Sequence, residues 1–186
     1  MDFDEKLIDL YVLASAEFER RLRHVWDWAA PTPCTEWDVR QLVNHVVRGN
    51  LNYVALLDGG TAAEFLRWRE VDALGDDQVG AYERSVREFE AAFRSPAAMR
   101  RTLDYPLGKV GGGQALAIRT TDTVIHTWDL ARAIGADETL NADLVDWIDE
   151  NLDAIYQGLE GMDRFFGTSG RAEASKQDRL LRRMGR

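Results

Sequence analysis

Residues 119–135 read RTTDTVIHTWDLARAIG, and the rest of the chain is best understood outward from them. Ile118, Thr121, Ile125 and Trp128 recur at three and four residues, the spacing of one helix face, and Gly135 supplies a stop for a helix over residues 114–134. Beside that apolar side runs a stripe of ionisable residues, Arg119, Asp122, His126 and Asp129. Asp122 and His126 stand four apart, so a carboxylate and an imidazole share one face and can point at one small object. A divalent metal is one such object. An ordinary Asp–His hydrogen bond uses the same spacing and is the commoner outcome for an isolated D-x-x-x-H.

Toward the N-terminus, Leu7, Leu10, Tyr11, Ala14, Phe18, Leu22 and Val25 predict an amphipathic helix over residues 4–28. Pro31 and Pro33 end it. Thr35 and Asp38 then have capping-box spacing, with Asp in place of the usual Glu or Gln. The helix they open buries Trp37, Leu42, Val46, Tyr53 and Leu56 or Leu57 and stops at Asp58-Gly59-Gly60. Residues 61–69 form a short helix or turn. Val79, Tyr82, Val86, Phe89 and Phe93 mark a third long helix, closed by Ser95-Pro96, and its aromatic stripe reads as core.

The segment LDYPLGKVGGG, residues 103–113, breaks the helical period and predicts a short extended excursion followed by a flexible glycine lead. It has neither the strand–loop–helix context nor the Lys-Ser/Thr of a phosphate cradle. Leu144, Trp147, Ile148, Leu152 and Ile155 predict a fifth helix over residues 142–159, with Met162 to Phe166 continuing its apolar packing. GTSGRAEASK then runs over the surface to the closing QDRLLRRMGR. The expected class is all-α: one helical domain over residues 1–166, and a tail over residues 167–186 that packs on it or extends from it.

A chain of 186 residues that is 45% hydrophobic can bury a sizeable core. No apolar run approaches a membrane span and MDFDEKLIDL is not a secretory signal, so a cytoplasmic protein without membrane attachment is expected. The single cysteine, Cys34, has no internal disulfide partner, in keeping with a reducing compartment. A net charge of −9 argues against nucleic-acid binding. The basic end RLLRRMGR is the exception, and pairing with acidic faces of the same molecule is the simpler use of it. Six tryptophans and long amphipathic helices leave a homodimer open.

His45 sits among Val43, Val46 and Val47 in the second helix, either as a core histidine with one satisfied hydrogen bond or facing another helix. His24, among arginines near a helix end, reads as a surface residue. Taken together, His45, Asp122 and His126 would offer two imidazoles and a carboxylate. That set suits Zn²⁺, Fe²⁺, Mn²⁺ or Ni²⁺ and leaves positions for water or substrate. Spacing alone does not bring His45 to the other two. Arg119 and Arg132 are candidates to hold an anionic substrate, with surface arginine the simpler reading. Asp129 could orient a metal-bound histidine or pair near its own helix end. Cys34 lies near a helix N-terminus, which favours thiolate. With no catalytic histidine identifiable beside it in sequence, a small packed residue is the simpler reading.

The segments TPCTEWDVRQLVNHVVRGN and TTDTVIHTWDLARAIG closely resemble an actinobacterial family related to the N-terminal metal-binding domain of mycothiol-dependent maleylpyruvate isomerase, within the DinB-like superfamily. The resemblance extends over nearly the whole chain, QDRLLRRMGR included. It implies a DinB-like four-helix bundle with long crossover connections, and metal ligands at His45 in LVNHVV and at Asp122 and His126 in TTDTVIHTWDL. Zinc is the first choice of metal, with nickel, iron and manganese as alternatives. It further implies a mycothiol-like thiol as cosubstrate, a second small-molecule substrate, and transferase or isomerase chemistry. The isomerase carries Glu where this chain has Asp122, one methylene shorter. It also has a C-terminal domain that contributes to its active site, for which this chain is expected to have no room, so maleylpyruvate isomerisation itself is not carried over.

Two other readings compete. One is a non-enzymatic ligand-binding or stress-response module with a vestigial metal pocket. The other is a buried polar network that only fixes helix register. Geometry separates the last from a metal site: ligands gather around a point at roughly 2.0 to 2.2 Å, whereas direct pairs sit near 2.8 Å.

Overall fold

The computed structural model describes residues 3–160 and 175–186. In chain order the elements are α1 (Phe3–Leu22), α2 (Val39–Leu57), a short α3 (Ala62–Trp68), α4 (Gln78–Phe93), a one-turn α5 (Pro96–Arg100), strands β1 (Thr102–Tyr105) and β2 (Gly108–Gly111), α6 (Gly112–Ala133), α7 (Ala142–Ile155) and α8 (Lys176–Arg183). The four long helices α1, α2, α4 and α6 form the bundle. α1 packs against α6 and α4, and α2 against α4 and α6, so α1 and α2 lie diagonally, as do α4 and α6. The chain therefore crosses the bundle twice, once between α1 and α2 and once through α5 and the hairpin.

α6 is the axis of the molecule. From Ala115 to Ala131 every residue except Asp122 is buried. Its threonines tolerate this because Thr120, Thr121, Thr123 and Thr127 each donate a hydroxyl to the carbonyl four residues back, at 2.7–2.9 Å. The expected division of α6 into an apolar face and an ionisable stripe gives way to burial all round. α7 covers α6, and α8 covers α7 through Leu180 and Leu181.

Several boundaries differ from expectation. α1 stops at Leu22, not at residue 28: His24 and Val25 make tighter bonds to the carbonyls of Arg21 and Leu22, while buried Arg21 ties the helix end to the carbonyls of Asp137 and Thr139. Val25 and Trp28 still pack inward, which kept the period legible past the helix. The cap of α2 is Asp38 with Gln41, not Thr35 with Asp38; Asp38 accepts from Gln41 N and Gln41 returns the bond at 2.9 Å. Thr61 and Glu64 form a second capping box, at α3. The glycine lead is not loose. Thr102 pairs with Gly111 and Tyr105 with Gly108 in the antiparallel hairpin, and Gly112 opens α6 so close to α5 that a Cβ would lie 2.0 Å from the Ala98 carbonyl oxygen. α7 ends at Ile155 rather than 159. The predicted packing of Met162 to Phe166 and most of the surface stretch 167–176 lie outside the described residues. Among the described residues no helix is long and apolar enough to cross a membrane.

Candidate metal centre and thiol pocket

α2 and α6 face one another across one end of the bundle, and this brings His45 to Asp122 and His126. Asp122 Oδ2 lies 3.4 Å from His45 Nε2, and Asp122 Oδ1 lies 3.4 Å from His126 Nε2. One donor atom from each residue falls within 4.8 Å of the other two. These separations exceed a well-made hydrogen bond. They match the edge of a tetrahedron of ligands around an ion at roughly 2.0–2.1 Å, about 3.3 Å. Trp37 stacks on His45 with centroids 4.6 Å apart, and the two imidazoles meet edge to face at 4.9 Å.

The surroundings set the charges. Arg119 is 2% exposed, which corrects its reading as a surface arginine; its Nη2 lies 2.7 Å from Asp122 Oδ2, and its Nε and Nη2 donate to Thr123 Oγ1. That contact misses hydrogen-bond angles, so Asp122 Oδ2 is buried with no hydrogen-bond partner. Burial alone would raise the Asp122 carboxyl, but Arg119, His126 and His45 outweigh it and hold it well below the usual carboxylate range. Burial pushes His45 down, toward the neutral imidazole a metal requires. At His126 burial is outweighed by Asp122 and Asp129, with Cys34 adding to them, and the imidazole is held well above its ordinary range. The reason is geometric: both ring nitrogens of His126 face carboxylates, Nδ1 at 2.9 Å from Asp129 and Nε2 at 3.4 Å from Asp122. The space between Nε2 and Asp122 calls for a proton or a cation. These residues therefore fit a divalent metal by donor chemistry, spacing and a buried carboxylate oxygen that no hydrogen bond satisfies.

The three line a cavity of about 630 Å³, within the size of small-molecule sites. Ile118, Ile125, Trp37, Tyr105 and Tyr156 give it apolar and aromatic walls, and Arg69 stands in its lining. Burial pushes both tyrosine phenols up, so they stay protonated. Cys34 also lines the cavity, and the fold brings to it a histidine, His126, that sequence did not identify. Its Sγ is 3.3 Å from Asp129 Oδ2, and Cys34, His126 and Asp129 form a second group with metal-ligand spacing.

A family model described as "Mycothiol maleylpyruvate isomerase N-terminal domain" matches residues 12–131. The chain belongs to this family. Two uncharacterized proteins, each from a strain of Mycobacterium tuberculosis, are 37% identical over 114 residues, covering 61% of this chain and 58% of theirs. The chain thus matches under two thirds of the length of these relatives. A crystal structure of the mycothiol-dependent maleylpyruvate isomerase superposes with a TM-score of 0.62 at 19% identity, over 78% of this chain and 68% of that one. A histidine-to-alanine mutant of the same isomerase gives 0.62 at 18% over the same shares. These structures show that the chain shares the isomerase's helical-bundle fold.

Arg132 is exposed, lying over the Trp128 ring at 5.0 Å and 3.5 Å from Glu138, away from the cavity lining. Asp129 turns from its own helix end toward His126. Arg186, Tyr105, Tyr156 and Arg69 went unread. They reach the cavity from β1, from the ends of α3 and α7 and from beyond α8, and no local spacing signals that convergence.

Proposed function

We propose that this chain is a metal-dependent enzyme of the thiol-dependent isomerase or transferase kind. His45, Asp122 and His126 hold a divalent cation, zinc in the first instance, and a mycothiol-like thiol enters the cavity as cosubstrate. The single observation that carries this reading is His126 held between two carboxylates, with its Nε2 and Asp122 both turned to a shared space. Bound there, the cation would stabilise the thiolate form of an incoming thiol. The protein's own residues do the rest. His45 offers a neutral nitrogen, braced by Trp37. Asp122 supplies a charge already ionised by its neighbours. The apolar and aromatic walls exclude water and leave a volume suited to a small organic molecule, and Arg69 offers an anionic substrate group a counter-charge.

Metal quantification on protein purified without a polyhistidine tag tests the site. About one equivalent in the wild type, lost in both His45→Ala and His126→Ala, is expected. A thiol-dependent activity screen on the metal-loaded protein, with mycothiol as the first cosubstrate, tests the chemistry. A second reading, a ligand-binding module that holds no metal, draws support from Arg119, which already balances Asp122 at 2.7 Å. A metal-free wild type of normal stability would favour it.

A further inference from the structure

Asp129 is the only Asp or Glu among the described residues that is buried as a whole, and its contacts come from three separate parts of the chain. His126 Nδ1 lies 2.9 Å from its Oδ2, Cys34 Sγ donates to the same oxygen at 3.3 Å, and Arg186 forks across both oxygens, Nε to Oδ1 at 2.7 Å and Nη2 to Oδ2 at 2.8 Å. The second Arg186 nitrogen also reaches Cys34 Sγ at 3.2 Å. An ionised carboxylate only accepts, so His126 must carry a proton on Nδ1, which leaves Nε2 as the ring's free face toward Asp122 and His45.

The way Arg186 arrives is built into α8. Leu180 and Leu181 are buried and fix the helix on α7. Gly185, at φ 73°, then reverses the chain in a Schellman turn: its N–H bonds to the Arg182 carbonyl at 3.0 Å and that of Arg186 to the Leu181 carbonyl at 2.8 Å. The turn delivers the guanidinium to the Asp129 carboxylate.

We infer that Asp129 and Arg186 are positioning residues: Arg186, carried by α8, locks the Asp129 carboxylate, and Asp129 locks the ring of His126 so that Nε2 faces the candidate centre. The consequence for metal affinity rests on the proposed function; the locking of the ring does not. Without the fork, Asp129 would keep only the imidazole and a thiol as donors and could rotate on its own side chain, freeing the ring to rotate with it. Outer partners of a ligating histidine typically alter metal affinity by about 10–100-fold.

The test uses the full chain labelled with ¹⁵N-histidine. In the metal-free wild type, His126 Nδ1–H is expected as a slowly exchanging, hydrogen-bonded proton signal, assigned by its loss in His126→Gln. Arg186→Met should speed its exchange at least tenfold and weaken zinc binding about tenfold, measured by competition with a chromophoric chelator. Asp129→Ala should abolish the signal and weaken zinc by about 10–100-fold. Arg186→Lys, which restores charge without the fork, should fall between Arg186→Met and wild type. Arg183→Gln removes an α8 ion pair that does not touch Asp129, so it must leave signal and affinity unchanged. If it speeds the exchange as Arg186→Met does, the effect belongs to α8 docking at large and the assignment to Arg186 is overturned. An unchanged Nδ1–H signal in Arg186→Met overturns the inference whatever the metal does. A wild type that binds no zinc, but whose Nδ1–H signal depends on Arg186, overturns the metal reading and leaves the positioning roles standing.

Discussion

Gly49 on α2 and Arg119 on α6 are fitted to one another: a Cβ added at Gly49 would lie 1.8 Å from Arg119 Nη1 and 2.9 Å from Cζ. The missing side chain on one helix is the room in which the other helix keeps a buried cation beneath Asp122. Glycine costs a helix about 1 kcal/mol relative to alanine, so Gly49→Ala would stabilise α2 if nothing opposed it. Here overpacking opposes it, at about 1–3 kcal/mol, with the further loss of a guanidinium pinned to Thr123 and Asp122. We predict a net loss on the order of 1–2 kcal/mol in urea unfolding. An unchanged or higher midpoint would mean that Arg119 can leave its place freely.

Arg119→Met removes the charge while keeping much of the volume. Asp122 then faces only the imidazoles, and a stability loss of about 1–3 kcal/mol is expected for the metal-free protein, the usual cost of stripping a partner from a buried polar group. Zinc should restore more stability to this variant than to the wild type, because the carboxylate is no longer shared; a ligand at a hundred times its dissociation constant contributes about 2.7 kcal/mol. Thermal unfolding with and without zinc measures the difference. Equal zinc-induced shifts in the two proteins would show that Arg119 and the cation do not share Asp122.

The bundle was legible because its long helices carry regular apolar periods, and Gly135, at φ 68°, closes α6 where its position suggested. Asp122 and His126 were legible for the same reason, since the helix itself sets their relation. His45 was not: nothing local says that α2 turns it toward α6, and only the family resemblance joined the three. Arg119 was misread because a helix buried on every side offers no contrast between faces, so a buried arginine looks like one in solvent. Cys34, Asp129 and Arg186 meet across 95 and 57 positions of sequence, which no spacing rule spans.

The second group with ligand spacing, Cys34, His126 and Asp129, gives a sharp contrast with the first. Arg186 holds both oxygens of Asp129 and also donates to Cys34 Sγ, whereas Arg119 meets only Oδ2 of Asp122 and leaves Oδ1 facing His126 Nε2, so the first group keeps a carboxylate oxygen for a cation and the second does not. Cys34→Ala is therefore predicted to retain zinc within about threefold of wild type, while His45→Ala loses it, because only the first group is open to a cation. Direct measurement of zinc stoichiometry decides. If Cys34→Ala loses the metal and His45→Ala keeps it, the centre lies on the Asp129 side of His126.

α8, which presents Arg186, is tied to α7 by charge as well as by Leu180 and Leu181. Asp149 accepts from Arg179 Nε at 3.1 Å and from Arg179 Nη2, and Arg183 pairs with Asp153. The hydrogen bonds from Arg179 outweigh burial and hold the Asp149 carboxyl below its usual value. A carboxyl whose folded value is depressed contributes stability above the unfolded value, about 4, and that contribution is lost as pH falls through the folded value. The pair is partly exposed and worth under about 1 kcal/mol, too little to unfold the bundle but enough to change how often α8 opens. Hydrogen exchange of the α8 amides, corrected for intrinsic rates, is expected to quicken between about pH 5 and pH 3. Asp149→Asn should already exchange faster at the upper pH and respond less to acid. Should its acid response match that of the wild type, the sensitivity of α8 arises instead from Asp153 or from Asp146, which pairs with Lys176 at 2.8 Å, and Asp149 is not what holds it.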